Sequence, residues 1–338
     1  MRPLVVVALV VSTGASLLAG CSSDAQPTDE LMLSSNPVAA TAARSPAQTK
    51  TPAGTVLPLA APVTAVATDE RTRTLAVAVS TPPSVQLYDL DGLDAAPRSV
   101  ALPGPATALA VAAPGGPVLA STGDKNAVVR VDLSSATATP ATVDGDPVAA
   151  TGYRSDTLVA VRGGKGVAVL RGDGVQRVIS GGLLSADQVY GVGDRAVVLD
   201  RLRNAVFQLD VAQGTVGEGL RAGQGATNGV VDRFDRVLVT DTRGGALLAF
   251  SVDPLLMRQR FPVPGSPYGI AYDRERDLVW VTLTETNEVV GFAVAGEEPV
   301  ERHRFPTVVQ PDSVAVDPVS GRVVVASGTG GGVQVVQP

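Results

Sequence analysis

From Pro62 onward the chain is built of short apolar runs separated by polar turns, and one pattern recurs. The segments Pro62-Val-Thr-Ala-Val-Ala, Pro105-Ala-Thr-Ala-Leu-Ala, Pro147-Val-Ala-Ala-Thr-Gly, Asp187-Gln-Val-Tyr-Gly-Val, Thr227-Asn-Gly-Val-Val-Asp, Pro267-Tyr-Gly-Ile-Ala-Tyr and Pro311-Asp-Ser-Val-Ala-Val align, with steps of 43, 42, 40, 40, 40 and 44 residues. A period near 40 is one four-stranded unit. Each repeat predicts a small or apolar first strand, a charged turn, a strongly apolar second strand, a polar loop, an alternating third strand ending near Asp, and a fourth strand. The sixth repeat is the clearest. Gly269 to Asp273 leads through a charged turn into Leu278-Val-Trp-Val-Thr282, and after the loop Glu285–Asn287 the stretch Glu288 to Val294 alternates. The second strands (Leu75–Val79, Val118–Ala120, Leu158–Val161, Ala196–Leu199, Val237–Val239, Val323–Ala326) are near-continuous apolar runs, which need cover on both faces. Stacking the units face to face around an axis supplies it.

The last repeat stops at Val333-Gln-Val-Val-Gln-Pro338, enough for a third strand and no fourth, while Thr55-Val-Leu-Pro-Leu59 stands before the first repeat at the offset of a fourth strand. The expected fold is therefore all-β, a seven-bladed β-propeller over residues 55–338, closed by pairing of the N-terminal strand (about 55–59) with the C-terminal blade. Closure hides edges that would otherwise template aggregation. A βαβ arrangement fails because no inter-strand stretch carries a 3.6 period. A β-solenoid shares the period, but the split repeat favours a ring.

The N-terminus reads as an address. Arg2 precedes an apolar run from Leu4 to Leu18 that ends in Leu18-Ala19-Gly20-Cys21, too short for a bilayer span and shaped as a secretory signal. Leu-Ala-Gly-Cys resembles the bacterial lipobox. The resemblance implies a lipoprotein signal peptide over 1–20, cleavage after Gly20, lipidation of the Cys21 thiol, and anchoring on the extracytoplasmic face of the cell membrane. Residues 21–54 are rich in Ser, Thr, Ala and Pro and predict a flexible tether.

Composition narrows the chemistry. With 27 Lys plus Arg against 33 Asp plus Glu, the net charge of −6 offers no global field for nucleic acid. One His and one Cys, the Cys already assigned to lipid, exclude a disulfide framework, the usual zinc site and a Cys-His dyad. His303 lies in an expected outer strand and reads as a surface residue. Arg171-Gly-Asp173 and the glycines of 163–166 and 328–332 read as turns, for they lack the strand-loop-helix context of a phosphate cradle.

Leu278-Val-Trp-Val-Thr-Leu-Thr-Glu-Thr-Asn-Glu-Val-Val-Gly-Phe is similar to the Tyr-Val-Thr-Asn repeat of YncE-like propellers, and Pro267-Tyr-Gly-Ile-Ala-Tyr-Asp273 resembles the opening of an NHL repeat. These resemblances imply a binding or scaffold role, in a chain whose Ala, Val, Gly and Arg bias suits a GC-rich, actinobacterial genome. One Trp argues against the quinone-cofactor propellers.

In such a ring the first strands line a channel, and the loops joining fourth to first strands and second to third strands share one face, termed the mouth face below. Val63, Ala106, Val148 and Gln188 read as bland at the channel mouth. Asn228, Tyr268 and Asp312 are the polar exceptions and form the candidate ligand-binding sector. Asn228-Gly229 and Asp312-Ser313 resemble the metal-binding Asn and Asp segments of gluconolactonase-like propeller hydrolases. That resemblance implies Ca²⁺ held by Asn228, Asp312 and a neighbour, although the channel Glu of that family's first blade is replaced here by Val63 and Thr64. The second-to-third-strand loops carry Lys125, Arg162, Lys165, Arg201, Arg203 and Arg243, and the opposite turns carry mostly Asp, so a basic arc is expected on the mouth face, suited to an anionic ligand or an envelope protein. The leading reading is a membrane-anchored, non-catalytic binding or scaffold module without a cofactor; the alternative is a metal-dependent lactonase or esterase-type hydrolase.

Overall fold

The computed structural model describes residue 31 and residues 35–338; Cys21 and the signal segment lie outside them. Seven four-stranded antiparallel sheets follow one another along the chain. Blade one is β2 (Val63–Asp69), β3 (Thr74–Ser80), β4 (Pro83–Asp89) and β5 (Arg98–Ala101). Blade two spans β6 to β9 (108–142), blade three β10 to β13 (147–180), blade four β14 to β17 (188–221), blade five β18 to β21 (226–262) and blade six β22 to β25 (267–306). Blade seven takes β26 (Pro311–Val316), β27 (Val323–Ser327) and β28 (Val333–Val336) from the end of the chain and β1 (Thr55–Leu57) from near its start. The expected closure is present: Thr55 pairs with Val335, Val56 with Gln334 and Leu57 with Val333. A 3-10 turn at Gly123–Lys125 is the only helical element among the described residues.

The apolar clusters lie between blades. Leu57, Val335 and Val324 of blade seven pack with Leu75 and Val77 of blade one, and Trp280 of blade six packs with Val314 and Val325 of blade seven. The second strands sit in the middle of this stack. Every residue of β23 (Leu278–Leu283) and of β27 is buried, which is why they read as unbroken apolar runs. Outer strands face solvent, and β13 (Gly174–Ser180) is exposed along nearly its whole length. Trp280 is fully buried in β23, stacked at 5.5 Å on His303, the expected surface residue, which is half-buried in outer strand β25 (Val300–Pro306). Gly291 makes room for the indole, since a Cβ there would stand 2.9 Å from its ring.

The turns between first and second strands are fastened by buried aspartates. Asp273 accepts from the N–H groups of Glu275 (3.0 Å) and Arg276 (3.2 Å), and Asp69 accepts from Thr72 N (2.7 Å). These are turn-forming carboxylates that accept from backbone N–H groups and from the Arg276 and Thr72 side chains of the same turns.

Residues 35–54 belong to the segment expected as a tether. They have no helix or strand of their own, yet their contacts cross the mouth face from blades four and five to blade seven. Ala39 and Ala40 meet Arg243 and Arg201 of blades five and four, Ala43 and Pro46 meet the Thr284–Asn287 loop of blade six, Gln48 bonds the carbonyl of Thr307 (2.9 Å), and Ala53 reaches Pro306 and Gln334. The segment is a strap that leads directly into β1.

Candidate functional site

At the channel mouth the first strands carry side-chain amides that join one blade to the next. Gln188, at the start of β14 (Gln188–Val192), donates through Nε2 to Asn228 Oδ1 (2.8 Å), accepts on Oε1 from Gly229 N (3.0 Å), and accepts there from the Tyr190 hydroxyl as well. Asn228, in β18 (Ala226–Val231), passes the chain of bonds on by donating Nδ2 to the carbonyl of Tyr268 in β22 (Pro267–Asp273), at 3.1 Å. Thr240 donates to the same carbonyl (2.9 Å), and Thr242 to that of Pro267 (2.7 Å). Blades four, five and six are thereby tied by a belt of buried or half-buried polar groups, each with partners, as the low dielectric demands. Burial pushes the Tyr190 phenol well above its ordinary value; it is a fixed donor rather than a titrating group.

Gln188, read from sequence as bland, is the hub of this belt, while Tyr268 contributes its backbone carbonyl to it. Asp312 stands apart, with blade six between it and Asn228. Its Oδ1 accepts from Gln310 Nε2 (2.8 Å), and burial raises its pKa above the ordinary carboxylate value. A hard cation requires several oxygens converging on one point. The Asn228 amide is engaged on both sides, and the residues as placed do not fit that requirement. Among the described residues no group of three or more His, Cys, Asp or Glu gathers as a metal site.

The basic arc lies on the expected loops, but most of its charge is engaged. Arg162 pairs with buried Asp187 (2.8 Å) and lies 3.7 Å from Asp146. Arg203 lies against fully buried Asp200 (3.8 Å) and over the Phe207 ring. Lys125 is 3.6 Å from Asp124, and Arg201 and Arg243 donate to strap carbonyls. Lys165 is exposed in a tight turn. The opposite face is not purely acidic either: Arg73 pairs with Asp317, Arg236 with Asp232 (2.7 Å), Arg276 with Asp273 (3.0 Å) and Arg274 with Glu70. Charge is thus interleaved on both faces, not divided between them. A cleft of about 1080 Å³ at blades three to five is likewise walled by paired groups, Arg154 with Asp194 (2.7 Å) and Arg195 with Asp253 (2.5 Å).

What the mouth face does hold is polypeptide. Gln310, in the linker between blades six and seven, accepts from Ser45 N on Oε1 (3.0 Å) and donates Nε2 to Ala43 O (3.0 Å). Thr284 accepts from Ala43 N (3.1 Å), and its carbonyl takes the Ser45 hydroxyl (2.6 Å). Asn287 donates to Pro46 O (3.0 Å). None of these three receptor residues stands out in the sequence, because a polar residue in a loop carries no sign of what it will bond.

No protein-family model matches the sequence, and no curated protein does. Solved structures do. The chain is similar to the structure of hydrazine synthase from Kuenenia stuttgartiensis at a TM-score of 0.71 and 16% identity, over 84% of this chain and 97% of that one. It is similar to a streptogramin B lyase at 0.70 and 11%, over 84% and 96%, and to U3-55K at 0.71 and 9%, over 85% and 100%. At such identities the likeness establishes the fold, which these proteins put to unrelated ends: the chain is a seven-bladed β-propeller.

Proposed function

We propose that this chain is a lipid-anchored, extracytoplasmic propeller acting as a non-catalytic binding module, with the mouth face as the contact surface and a polypeptide of the cell envelope as partner. One observation carries the reading. The Gln188 and Asn228 amides of the channel mouth are consumed in joining blades, whereas the loops above them already grip a length of polypeptide through side chains from three blades and a linker. Lipidation at Cys21 is supported by the Leu-Ala-Gly-Cys sequence and would keep the module at the membrane. The cation-dependent hydrolase is the weaker reading, because Asn228 Oδ1 is already held by Gln188 at 2.8 Å.

Two measurements test this. Cys21→Ser should move the protein from the membrane to the soluble fraction. A photo-crosslinking residue placed at Lys165 on the mouth face should trap an envelope protein that the same residue placed at Val178 on outer strand β13 does not. Equal trapping at both positions sinks the face assignment. A rise in melting temperature with millimolar Ca²⁺, as linkage requires of a native-state ligand, restores the hydrolase.

A further inference from the structure

We propose that the strip of mouth face under the strap is a receptor groove for extended, small-residue polypeptide, that residues 39–46 are its intramolecular occupant, and that a segment of the same chemistry from another protein takes their place. The inference rests on the binding-module reading and specifies its ligand.

The contacts are those of peptide recognition rather than of a packed core. Arg201, Arg243, Thr284, Asn287 and Gln310 address the main chain of residues 39, 40, 43, 45 and 46. Main-chain recognition tolerates different side chains and demands an extended conformation. Gln310 is the clearest device. Its amide accepts from Ser45 N and donates to Ala43 O, both at 3.0 Å, so it pairs with positions i and i+2 as a neighbouring strand would. The amide is aligned beforehand, because Nε2 also donates to Asp312 at 2.8 Å and Gln310 itself is buried. Asp312 thereby gains a role as a positioning residue.

Side-chain selectivity enters at two points. Ala40 is fully buried, and a Cβ on Gly225 would come within 3.0 Å of the Ala40 Cβ, so this slot takes only a small residue. Ser45 donates its hydroxyl to Thr284 O (2.6 Å) and accepts from Gln310 N (3.1 Å), a pair of bonds that only Ser or Thr supplies. The ligand pattern is thus small at 40, any extended residue at 43, Ser or Thr at 45, and a free carbonyl at 46. Most of the strap between 41 and 50 is otherwise exposed, so little apolar burial holds it in place, and an exchange costs few contacts that an equivalent segment would not remake.

The test uses the full chain and a synthetic peptide of residues 37–50. A linked segment competes at an effective concentration of about millimolar, so the unaltered chain should bind the peptide negligibly at 100-fold lower concentration (~10 μM). Ala40→Trp should expel the strap, seen as at least a tenfold faster hydrogen exchange at Ala43 and Ser45, and should allow 1:1 peptide binding with an unchanged melting transition of the blades. Adding Gln310→Ala should weaken that binding at least tenfold, while adding Val178→Ala, on outer strand β13, should leave it within twofold. The inference is overturned if Ala40→Trp leaves the strap protected, if the released chain ignores the peptide, or if Gln310→Ala has no effect. Mouth-face trapping of an envelope protein without peptide binding sinks this inference alone, whereas peptide binding without any trapped partner sinks the binding-module reading instead.

Discussion

Arg73 Nη1 lies 2.6 Å from Asp317 Oδ1 and Arg73 Nη2 lies 2.8 Å from Asp317 Oδ2, a bidentate pair between residues 244 positions apart. Arg73 sits in the first turn of blade one and Asp317 in that of blade seven, so the pair is a latch at the seam where the ring closes, on the face opposite to the mouth. The guanidinium also binds Asp91 at 2.8 Å.

The latch has an acid signature. Burial alone would push the Asp317 carboxyl up, but hydrogen bonds from Arg73 and Ser320, with the Arg73 charge and the Val319 N–H, hold it at about 2. A carboxyl depressed in the folded state contributes stability above its ordinary value near 4 and loses it as pH falls toward 2. Arg73→Ala leaves a buried carboxylate short of its main partner, at a cost of about 3 kcal/mol. Melting followed from pH 7 to pH 2 should show a lowered transition at neutral pH and a flatter decline between pH 4 and 2 than in the unaltered chain.

Gln334 performs the corresponding task on the mouth side. It is fully buried in β28, accepts from Val308 N at 3.0 Å, and donates to Ala53 O at 2.7 Å and Pro306 O at 3.0 Å. Gln334→Leu, close in size, orphans the Val308 N–H and the Ala53 carbonyl, while Pro306 O keeps its bond from Ala53 N, and should cost about 2–4 kcal/mol. Hydrogen exchange should rise first at Ala53 and through β1. Uniform weakening of all blades would show instead that the seam is no weaker than the rest.

The ring was legible because its signals are local and repeated. The apolar run Leu278–Thr282 could only be a strand covered on both faces, and the stranded Thr55–Leu59 matched the missing fourth strand of the last repeat. The belt was not legible, because Gln188 differs from any loop glutamine only in meeting Asn228 from the next blade, 40 residues on. The contacts of the strap were not legible for a related reason. Composition measures what a segment can bury by itself, and residues 39–46 bury almost nothing apolar except Ala40; their partners are donors and acceptors on Thr284, Asn287 and Gln310 that composition does not register. The Asp-rich turns suggested an acidic face because the arginines that answer them, such as Arg73 and Arg276, come from neighbouring turns or from positions that look unremarkable in the chain.

Asn228→Asp separates the belt from a cation site. In the belt, Asn228 Nδ2 donates to the Tyr268 carbonyl at 3.1 Å; a carboxylate there would set oxygen against oxygen and should cost about 2 kcal/mol at pH 7. The carboxyl would take its proton above the usual range, and since the protonated form is the better tolerated one, the deficit should shrink as pH falls. In a cation site the same change would add a ligand charge, and millimolar Ca²⁺ would raise the melting temperature of the variant above that of the unaltered chain. The expected result is no Ca²⁺ response in either.

Asp312 gives the last test, with the opposite sign to Asp317. Burial raises its pKa, and the Gln310 amide only partly offsets this. A carboxyl raised in the folded state binds its proton more readily there than in the unfolded chain, so stability falls as pH climbs from the ordinary value near 4 through the raised one, and the deficit is complete above it. Asp312→Asn removes the charge yet keeps an oxygen to accept from Gln310 Nε2. It should therefore raise the melting temperature at pH 7 by about 2–4 °C, with the gain vanishing below about pH 4, and should leave hydrogen exchange at Ala43 and Ser45 unchanged. Asp312→Ala also removes the charge but lets the Gln310 side chain turn, so exchange at those two amides should quicken while the rest of the ring stays protected. Equal exchange in the two variants would mean that Gln310 holds its place without Asp312.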